Sequence, residues 1–310
     1  MITTVTLNAA VDKIYTVAGF GLNAVHRIEG GLTVPGGKGV NAARVIRTLG
    51  APVRATGFIA GHTGRLLTDG LSAEGVSADF IKAAHGETRL AITVLDPSAH
   101  TQTELIESGP TIGPLELDAL RRKITTLATD SDWVVFSGSL PPGCPPDLYA
   151  ELCMLAKASG ARVALDASGE ALRLGLRGKP DLVKPNEVEA ASFAGIDATR
   201  PDAAEVAAAQ LLEAGAQLAV ISLGARGALA VTRDARYRVR LPNADIVSAL
   251  GSGDAMVAGL VTGAAAGLEL PALLRQGAAC GTAAALHAMA GKIDLQDVKR
   301  LEQDITVTLL

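Results

Sequence analysis

Ser248-Ala-Leu-Gly-Ser-Gly-Asp-Ala-Met-Val-Ala-Gly259 joins a glycine-rich turn and a carboxylate to the start of an apolar, alanine-rich helix. Gly251 and Gly253 let the backbone turn sharply and approach a ligand, because no Cβ stands in the way. A turn before a helix presents free N–H groups, towards which the helix dipole also draws an anion. Asp254, beside such an anion, suits a base that takes a proton from an incoming hydroxyl. An aspartate N-cap on a core helix would account for the same residues.

Outward from this stretch, strand-like and helix-like segments alternate regularly from Leu115 onward. The predicted strands are Trp133–Phe136, Val163–Leu165, Leu182–Val183 and Leu218–Leu223. This spacing predicts βαβ units, and therefore an α/β fold with a mainly parallel sheet covered by helices on both faces. Two β-rich stretches, near residues 11–35 and 88–107, interrupt the pattern. They predict a small β appendage built from two insertions into a single domain spanning residues 1–310.

Composition excludes several classes of partner. The chain has 310 residues, of which 48% are hydrophobic and 3% aromatic, and a net charge of -4. That charge provides no basic surface for nucleic acid or for an anionic membrane. The longest apolar stretches, Ala255–Leu268 and Gly277–Met289, are too short to span a bilayer and predict buried helices. Met1–Leu7 is strand-like and has no signal-peptide pattern, and the three cysteines lack metal-site spacing, so we expect a cytoplasmic protein with reduced thiols.

A second glycine-rich turn, Val34-Pro-Gly-Gly-Lys-Gly-Val-Asn41, also precedes a predicted helix. It is not a Walker A loop, because Leu32 stands at the first glycine position and Gly39 follows Lys38 where Ser or Thr is required. The glycines still permit close backbone approach, Lys38 supplies a cation, and Asn41 supplies a donor and an acceptor. A flexible turn before a helix is the alternative interpretation.

Three further loops follow predicted strands, where open parallel sheets bind ligands. They are Ser137–Gly143, Lys184–Glu189 and Ser222–Gly227. Asn186 and Glu189 are three residues apart, so their oxygens share a helix face and suit a magnesium shell or an ordered water. A simple helix cap at Asn186 and an ordinary turn at the third loop are the alternatives. Arg27 and Arg89, in or beside the β insertions, are either solvated charges or ligands of a substrate phosphate.

Taken together, these segments resemble the ribokinase-like PfkB sugar-kinase family, and most closely its phosphosugar branch. The resemblance runs from Thr6-Leu-Asn-Ala-Ala-Val-Asp12 to the helices after Asp254. Its most specific motifs, in family order, are Pro35–Asn41, Ser137–Gly143, Leu165–Ala171, Lys184–Glu189 and Gly251–Asp254. Ala9 replaces the usual proline of the opening motif, and Ala255 replaces a frequent serine. Neither departure removes a reactive group.

The resemblance implies a three-layer α/β/α core with a small β-sheet lid. It implies an enzyme that uses ATP and Mg²⁺ to phosphorylate a ketohexose monophosphate, with fructose 1-phosphate as the first candidate. Tagatose 6-phosphate and fructose 6-phosphate are alternatives, and a catalytically silent sugar-phosphate sensor is a candidate of a different class. It also implies a homodimer formed through the lid. The apolar side chains expected to supply that contact are Ile14, Tyr15, Val17, Leu90, Ile92 and Val94.

The resemblance assigns roles to individual residues. Asp254 matches the catalytic base. The anion hole for the transferring phosphoryl group corresponds to Gly251, Ser252 and Gly253. Magnesium and the phosphates of ATP would be organised by Asn186 and Glu189, with Lys184 nearby. Sugar hydroxyls would be held by Asp12, Gly37 and Asn41. Positions near the sugar phosphate are matched by Arg27, Lys38, Arg89 and Ser139. The nucleotide would meet Ser222, Gly224 and Gly227.

Overall fold

The computed structural model describes residues 1–310 and contains two β-sheets and ten α-helices. The strands are β1 (Ile2–Thr6), β2 (Ala10–Thr16), β3 (Leu32–Gly36), β4 (Val53–Ile59), β5 (Ser77–Ala78), β6 (Ile81–Lys82), β7 (Arg89–Asp96), β8 (Thr101–Ile106), β9 (Trp133–Ser137), β10 (Arg162–Asp166), β11 (Leu182–Val183), β12 (Leu218–Ser222), β13 (Ala228–Val231), β14 (Arg236–Arg240) and β15 (Thr306–Leu309). The helices are α1 (Lys38–Thr48), α2 (Gly61–Ala73), α3 (Pro114–Thr129), α4 (Leu148–Ala158), α5 (Gly169–Gly175), α6 (Glu187–Ala194), α7 (Ala203–Glu213), α8 (Ser252–Ala265), α9 (Leu270–Ala285) and α10 (Leu295–Asp304).

The central sheet is parallel over most of its width. Its order is β15-β14-β13-β12-β11-β10-β9-β1-β4-β5, and β6 also pairs with β4. All neighbours from β12 to β5 are parallel, whereas β13, β14 and β15 continue the sheet as antiparallel strands. The parallel strands need crossover helices, which explains the regular βα rhythm of the sequence.

Two apolar cores lie on opposite faces of this sheet. Alternate residues of β9 point to opposite faces, so Val135 joins one core while Val134 and Phe136 join the other. Helices α1, α2, α8, α9 and α10 contribute to the first core, and helices α3 to α7 contribute to the second. The result is the three-layer α/β/α core with a mainly parallel sheet, as predicted. No helix combines the length and the apolar character needed to cross a bilayer.

Helices α8 and α9 pack very closely through small residues. A Cβ built on Gly259 of α8 would lie 2.9 Å from Cys280 Sγ and 2.9 Å from the backbone of Gly277 on α9. A Cβ on Gly277 would lie 2.6 Å from Leu260 Cγ. This close packing explains the low aromatic content and fixes the helix whose first turn carries Asp254.

The second sheet has four strands in the order β3-β2-β7-β8. Strands β2 and β7 are parallel, and β7 and β8 form an antiparallel hairpin within the β-rich stretch predicted near residues 88–107. Two residues expected to form a lid-to-lid contact, Ile14 and Val94, are buried within the chain, so that part of the prediction is wrong. The exposed apolar side chains of this region instead lie in the β2–β3 loop and on β8, among them Leu22, Val25 and Leu105.

Several sequence-based boundaries differ from the structure, and two elements were not predicted. Helix α1 begins at Lys38 rather than at Ala42, because Gly37 acts as its N-cap and the glycine-rich turn runs directly into the helix. The sequence predicts the next helix over Gly64–Glu74, whereas α2 begins three residues earlier, at Gly61. Helix α10 and strand β15 were not predicted, and β15 is short and mostly exposed.

Trp133, the only tryptophan, opens β9 at the amino end of the sheet. It is buried, and the Arg162 guanidinium lies 4.7 Å from the centre of its ring. The carboxyl end of β9, at Ser137, faces the opposite edge of the sheet. That edge carries the loops described next.

Candidate active site

Asp254 lies in the first turn of α8 and is only 6% exposed. Asn41, on α1, donates from Nδ2 to Asp254 Oδ2 at 2.9 Å. The pKa of Asp254 is raised to about 7, chiefly by burial and also by the nearby Asp166 carboxylate, while Lys38, the Asn41 hydrogen bond and Lys184 act in the opposite direction. A carboxyl group with such a pKa can accept a proton at neutral pH.

The turn before Asp254 has the features of an anion site. The Ser252 N–H donates to Ala249 O, whereas the N–H groups of Gly253 and Asp254 have no acceptor in the chain. Ser252 Oγ is buried without a hydrogen-bond partner. A Cβ on Gly253 would lie 3.1 Å from Lys184 Nζ, so glycine leaves room for an ammonium group beside these amides. A phosphoryl group at this turn would meet both N–H donors and a cation.

Asp166, at the end of β10, lies between two lysines. Its Oδ2 is 3.6 Å from Lys38 Nζ and its Oδ1 is 3.7 Å from Lys184 Nζ. Both oxygens are buried and neither accepts a hydrogen bond. Asp166 is the main cause that raises the pKa of Lys38 above its ordinary value, so Lys38 is fully charged. The sequence analysis identified Leu165–Ala171 as a family motif but did not predict Asp166 as a site residue. The missed signal was a carboxylate directly after a buried strand.

Asn186 and Glu189 form a capping box at the start of α6. Asn186 Oδ1 accepts from Glu189 N at 2.8 Å, and Glu189 Oε2 accepts from Asn186 N at 2.9 Å. The helix-cap interpretation of Asn186 therefore holds. Glu189 Oε1 remains outside the box and lies 3.8 Å from Lys38 Nζ, next to Asp166.

The donor set near Lys38 fits a magnesium ion that takes part of its ligand shell from outside the chain. Glu189 Oε1 and the unpartnered oxygens of Asp166 are hard, acceptor-only ligands. The chain has no cluster of three or more His, Cys, Asp or Glu side chains that would enclose a metal by itself. Mg²⁺ commonly takes one or two carboxylates and completes its shell with water and substrate phosphates.

The loop after β12 lies beside Asn186. Ser222 forms an isolated parallel bridge with Asn186, which brings the two predicted loops together. A short 3₁₀ turn follows at Gly224–Arg226, and Leu223 N donates to Gly227 O. The presence of glycine at position 227 has a local structural reason, because its φ is 88° and a Cβ there would lie 2.0 Å from Val239 O.

Asp12 on β2 and Arg89 on β7 lie on neighbouring strands of the small sheet, where Arg89 pairs with Ala10 and Asp12 with Ala91. Burial raises the pKa of Asp12 to about 6, against the opposing effect of the Arg89 and Arg44 guanidinium groups. A Cβ on Gly36 would overlap the Asp12 carboxyl group, so glycine at this position leaves room for that carboxyl group beside β3. Gly37, at φ 97°, follows and opens α1.

Asn8 connects two predicted site residues and was itself not predicted. Its Nδ2 donates to Ser139 Oγ at 3.2 Å and to Ser108 O at 3.3 Å, and its main-chain oxygen accepts from Arg89 Nε at 3.1 Å. Asn8 Oδ1 is buried without a partner. Asn8 thereby groups Ser139 with Arg89, whereas Arg27 lies exposed in the β2–β3 loop and makes no hydrogen bond or salt bridge within the chain.

The chain is similar in sequence to a known family and to a known enzyme. The model of the pfkB family carbohydrate kinases matches residues 3–296. A 1-phosphofructokinase of Rhodobacter capsulatus is 41% identical over 271 residues, which cover 87% of this chain and 85% of that protein.

Two solved structures share the fold along the whole chain. A possible 1-phosphofructokinase of Thermotoga maritima is 30% identical, with a TM-score of 0.91 and coverage of 100% of this chain and 99% of that one. The phosphofructokinase-2 of Escherichia coli in complex with fructose-6-phosphate is also 30% identical, with a TM-score of 0.90 and 98% coverage of both chains. The five sequence motifs, the three-layer core and these similarities agree, and the chain belongs to the pfkB family of carbohydrate kinases.

Proposed function

We propose that this kinase transfers the γ-phosphoryl group of ATP to the 6-hydroxyl of fructose 1-phosphate, forming fructose 1,6-bisphosphate. The observation that carries the proposal is the buried Asp254 carboxyl group, bound by Asn41 and placed beside an amide turn and two lysines. The choice of substrate rests on the 41% identity to a 1-phosphofructokinase. Phosphoryl transfer depends mainly on positioning and charge neutralisation, which this arrangement can supply.

Asp254 acts as the base. Its Oδ2 is oriented by the Asn41 amide, and its pKa of about 7 lets it take the proton of the sugar hydroxyl near neutral pH. The buried surroundings that raise the pKa also keep bulk water away from the hydroxyl that must attack.

The anion turn and the lysines hold the transferring group. The free N–H groups of Gly253 and Asp254 face the same region as the Lys184 ammonium, so negative charge that builds up there is neutralised. Lys38 supplies a second cation next to Asp166. Bound Mg²⁺ would neutralise the charge of the nucleotide phosphates, and Asp166 and Glu189 are the side chains that would hold it. The Ser222–Gly227 loop, adjacent to Asn186, would contact the nucleotide.

The sugar phosphate binds between the two sheets. Asp12, Asn41 and the Gly37 backbone are the proposed ligands of its hydroxyls. Its phosphate is bound by Arg89 and Ser139, which Asn8 holds together. Two of the residues predicted near the sugar phosphate lie away from this pair. Lys38 directs its ammonium to Asp166. Arg27 is exposed and reaches the phosphate only if the β2–β3 loop closes.

The four-stranded sheet serves as a lid and as a dimer contact. Leu22 and Val25 in its long loop are 92% and 86% exposed, and Leu105 and Ile106 on β8 are also exposed. Exposed apolar side chains beside an exposed edge strand such as β8 are a liability in an isolated protomer. We therefore expect a homodimer, which Leu105→Glu should dissociate in light scattering, while a dimer that survives both this substitution and Leu22→Glu would contradict the lid-to-lid contact. We assign the enzyme to the cytoplasm, where ATP and phosphorylated sugars occur.

The test of the proposed function is a panel of ketohexose phosphates with ATP and Mg²⁺, read as ADP release. Fructose 1-phosphate should give the highest kcat/KM. Preference for tagatose 6-phosphate or fructose 6-phosphate would replace the proposed substrate, the latter being the ligand of the Escherichia coli phosphofructokinase-2 structure. Binding of a sugar phosphate without any turnover would favour the silent sensor.

A further inference from the structure

Arg44 is a buried arginine, 4% exposed, whose guanidinium connects four parts of the chain. It belongs to α1, one turn after Asn41. Its Nε and Nη2 donate to the two carboxylate oxygens of Glu74, at the end of α2, at 2.6 and 2.9 Å. Its Nη1 donates to Ala290 O at 2.8 Å and to Pro35 O at 3.4 Å. Neither the capping of a helix nor the proposed chemistry uses this side chain directly.

The Ala290 contact leads to the anion turn. A Cβ on Gly251 would lie 2.6 Å from Ala290 Cβ, so the 290–291 segment packs directly against the residue that opens the turn. A Cβ on Gly291 would lie 2.7 Å from Arg44 Nη1 and 3.2 Å from Asn41 Cα. The segment is therefore held between the Gly251 turn on one side and α1 on the other, and Arg44 is the side chain that fastens it.

The Pro35 contact leads to the lid. The Pro35 ring lies against α2, because a Cβ on Gly70 would be 2.6 Å from Pro35 Cγ. The next residue, Gly36, passes beside the Asp12 carboxyl group. Arg44 thus fixes the point at which β3 leaves the core, and its charge also acts on Asp12, whose pKa it lowers.

We propose that Arg44 is a positioning residue that fastens the 290–291 segment and the base of β3 to α1, and so holds the Gly251–Asp254 turn and the Asn41–Asp254 hydrogen bond in register with the sugar site. The inference rests on the proposed kinase function for its kinetic consequence. Only arginine can make these contacts together, since a planar fork serves Glu74 and two main-chain carbonyls at once, whereas lysine offers a single ammonium.

The variant that tests this is Arg44→Lys, with Glu74→Gln as its matched control. Arg44→Lys keeps the charge but loses the fork, so we expect kcat to fall about 10–100-fold, the usual cost of a small misplacement of reacting groups. The KM for ATP should change by less than about twofold. Glu74→Gln weakens the same side chain's outer contact and leaves both carbonyl contacts, so its kcat should stay within about twofold of wild type.

Gly291→Ala provides a second variant that keeps Arg44 itself. Its Cβ would press on Arg44 Nη1, and its φ of 72° disfavours alanine, so the segment must shift. We expect the same fall in kcat as in Arg44→Lys. Wild-type kcat in both variants would overturn the proposal, and so would an equal loss in Glu74→Gln, because that pattern indicates a general loss of stability.

Hydrogen exchange separates this proposal from the proposed function. In Arg44→Lys, but not in Glu74→Gln, we expect faster exchange in peptides covering residues 286–292 and 249–256. If the wild-type enzyme phosphorylates no ketohexose phosphate, the proposed function fails, while the exchange result still decides the role of Arg44. Unchanged exchange in these two segments would refute it, whatever the substrate.

Discussion

Replacement of Asp254 by asparagine is the sharpest test of the site. Asparagine keeps the size of the side chain, and its Oδ1 can still accept from Asn41 Nδ2. The variant loses the ionisable carboxyl group, and with it the negative charge and the capacity to take a proton. A positioned base contributes about 10²–10⁴ in rate, so we expect kcat to fall by that factor while ATP binding changes little.

The same substitution should stabilise the protein at neutral pH. Asp254 has a pKa of about 7 in the folded chain, against an ordinary value of 3.8. Between these values the folded state holds a proton that the unfolded state has released, so the free energy of unfolding falls as the pH rises from about 4 to 7 and is level above. Asparagine does not titrate, so the variant avoids this loss of stability. Its free energy of unfolding at pH 8 should exceed that of the wild type by at most about 4 kcal/mol.

Both effects can be measured on one preparation. Initial rates of ADP release give kcat, and urea unfolding followed by circular dichroism at pH 5 and pH 8 gives the free energy of unfolding. Asp234→Asn, at an exposed turn, is the matched control and should change neither quantity. A variant with near-normal kcat would refute the role of Asp254 as base. A variant no more stable than wild type at pH 8 would refute the account of its burial.

Further outcomes follow from other contacts. In the wild type, kcat/KM should rise with pH through about 7 as Asp254 ionises, and a flat profile from pH 6 to 8 would argue against this base. Arg89→Ala should remove about 1.5–3 kcal/mol of charged hydrogen bonding and raise KM for fructose 1-phosphate far more than for fructose, so equal losses would count against a phosphate site. Gly259→Ala should lower the free energy of unfolding, measured in urea, by about 1–3 kcal/mol through overpacking. Gly30→Ala, whose Cβ would lie in open space, is the control and should not lower it.

The fold class was predictable because local signals repeat along the chain. Buried strands such as Trp133–Ser137 are short apolar runs, and the helices between them supply the crossovers that parallel strands require. The glycine turns before α1 and α8 were equally visible, since Gly37 and Gly251 stand at positive φ where other residues are strained. Strand β15 was not predictable, because four mostly exposed residues carry no pattern of their own.

The site was predictable only where a motif carries its own chemistry. Asp254, Lys38 and Asn186 stand in glycine-rich or capping sequences, and the Asn186 capping box could have been foreseen from its spacing. Asp166 contacts Lys38 and Asn8 contacts Ser139, each more than a hundred residues away in sequence, and no local pattern records such contacts. The resemblance could not indicate how far Arg27 lies from its proposed ligand, because a loop's position depends on packing.

The place of Trp133 gives the protein an optical property of practical use. The only indole sits at the amino end of β9, under a guanidinium, whereas the site lies beyond the carboxyl end of the same strand, about 13 Å further along the chain. We therefore expect intrinsic emission excited at the indole band to report on the integrity of the sheet more than on ligand binding. Titrations with nucleotide or sugar phosphate will need an extrinsic dye or a tryptophan introduced near the lid.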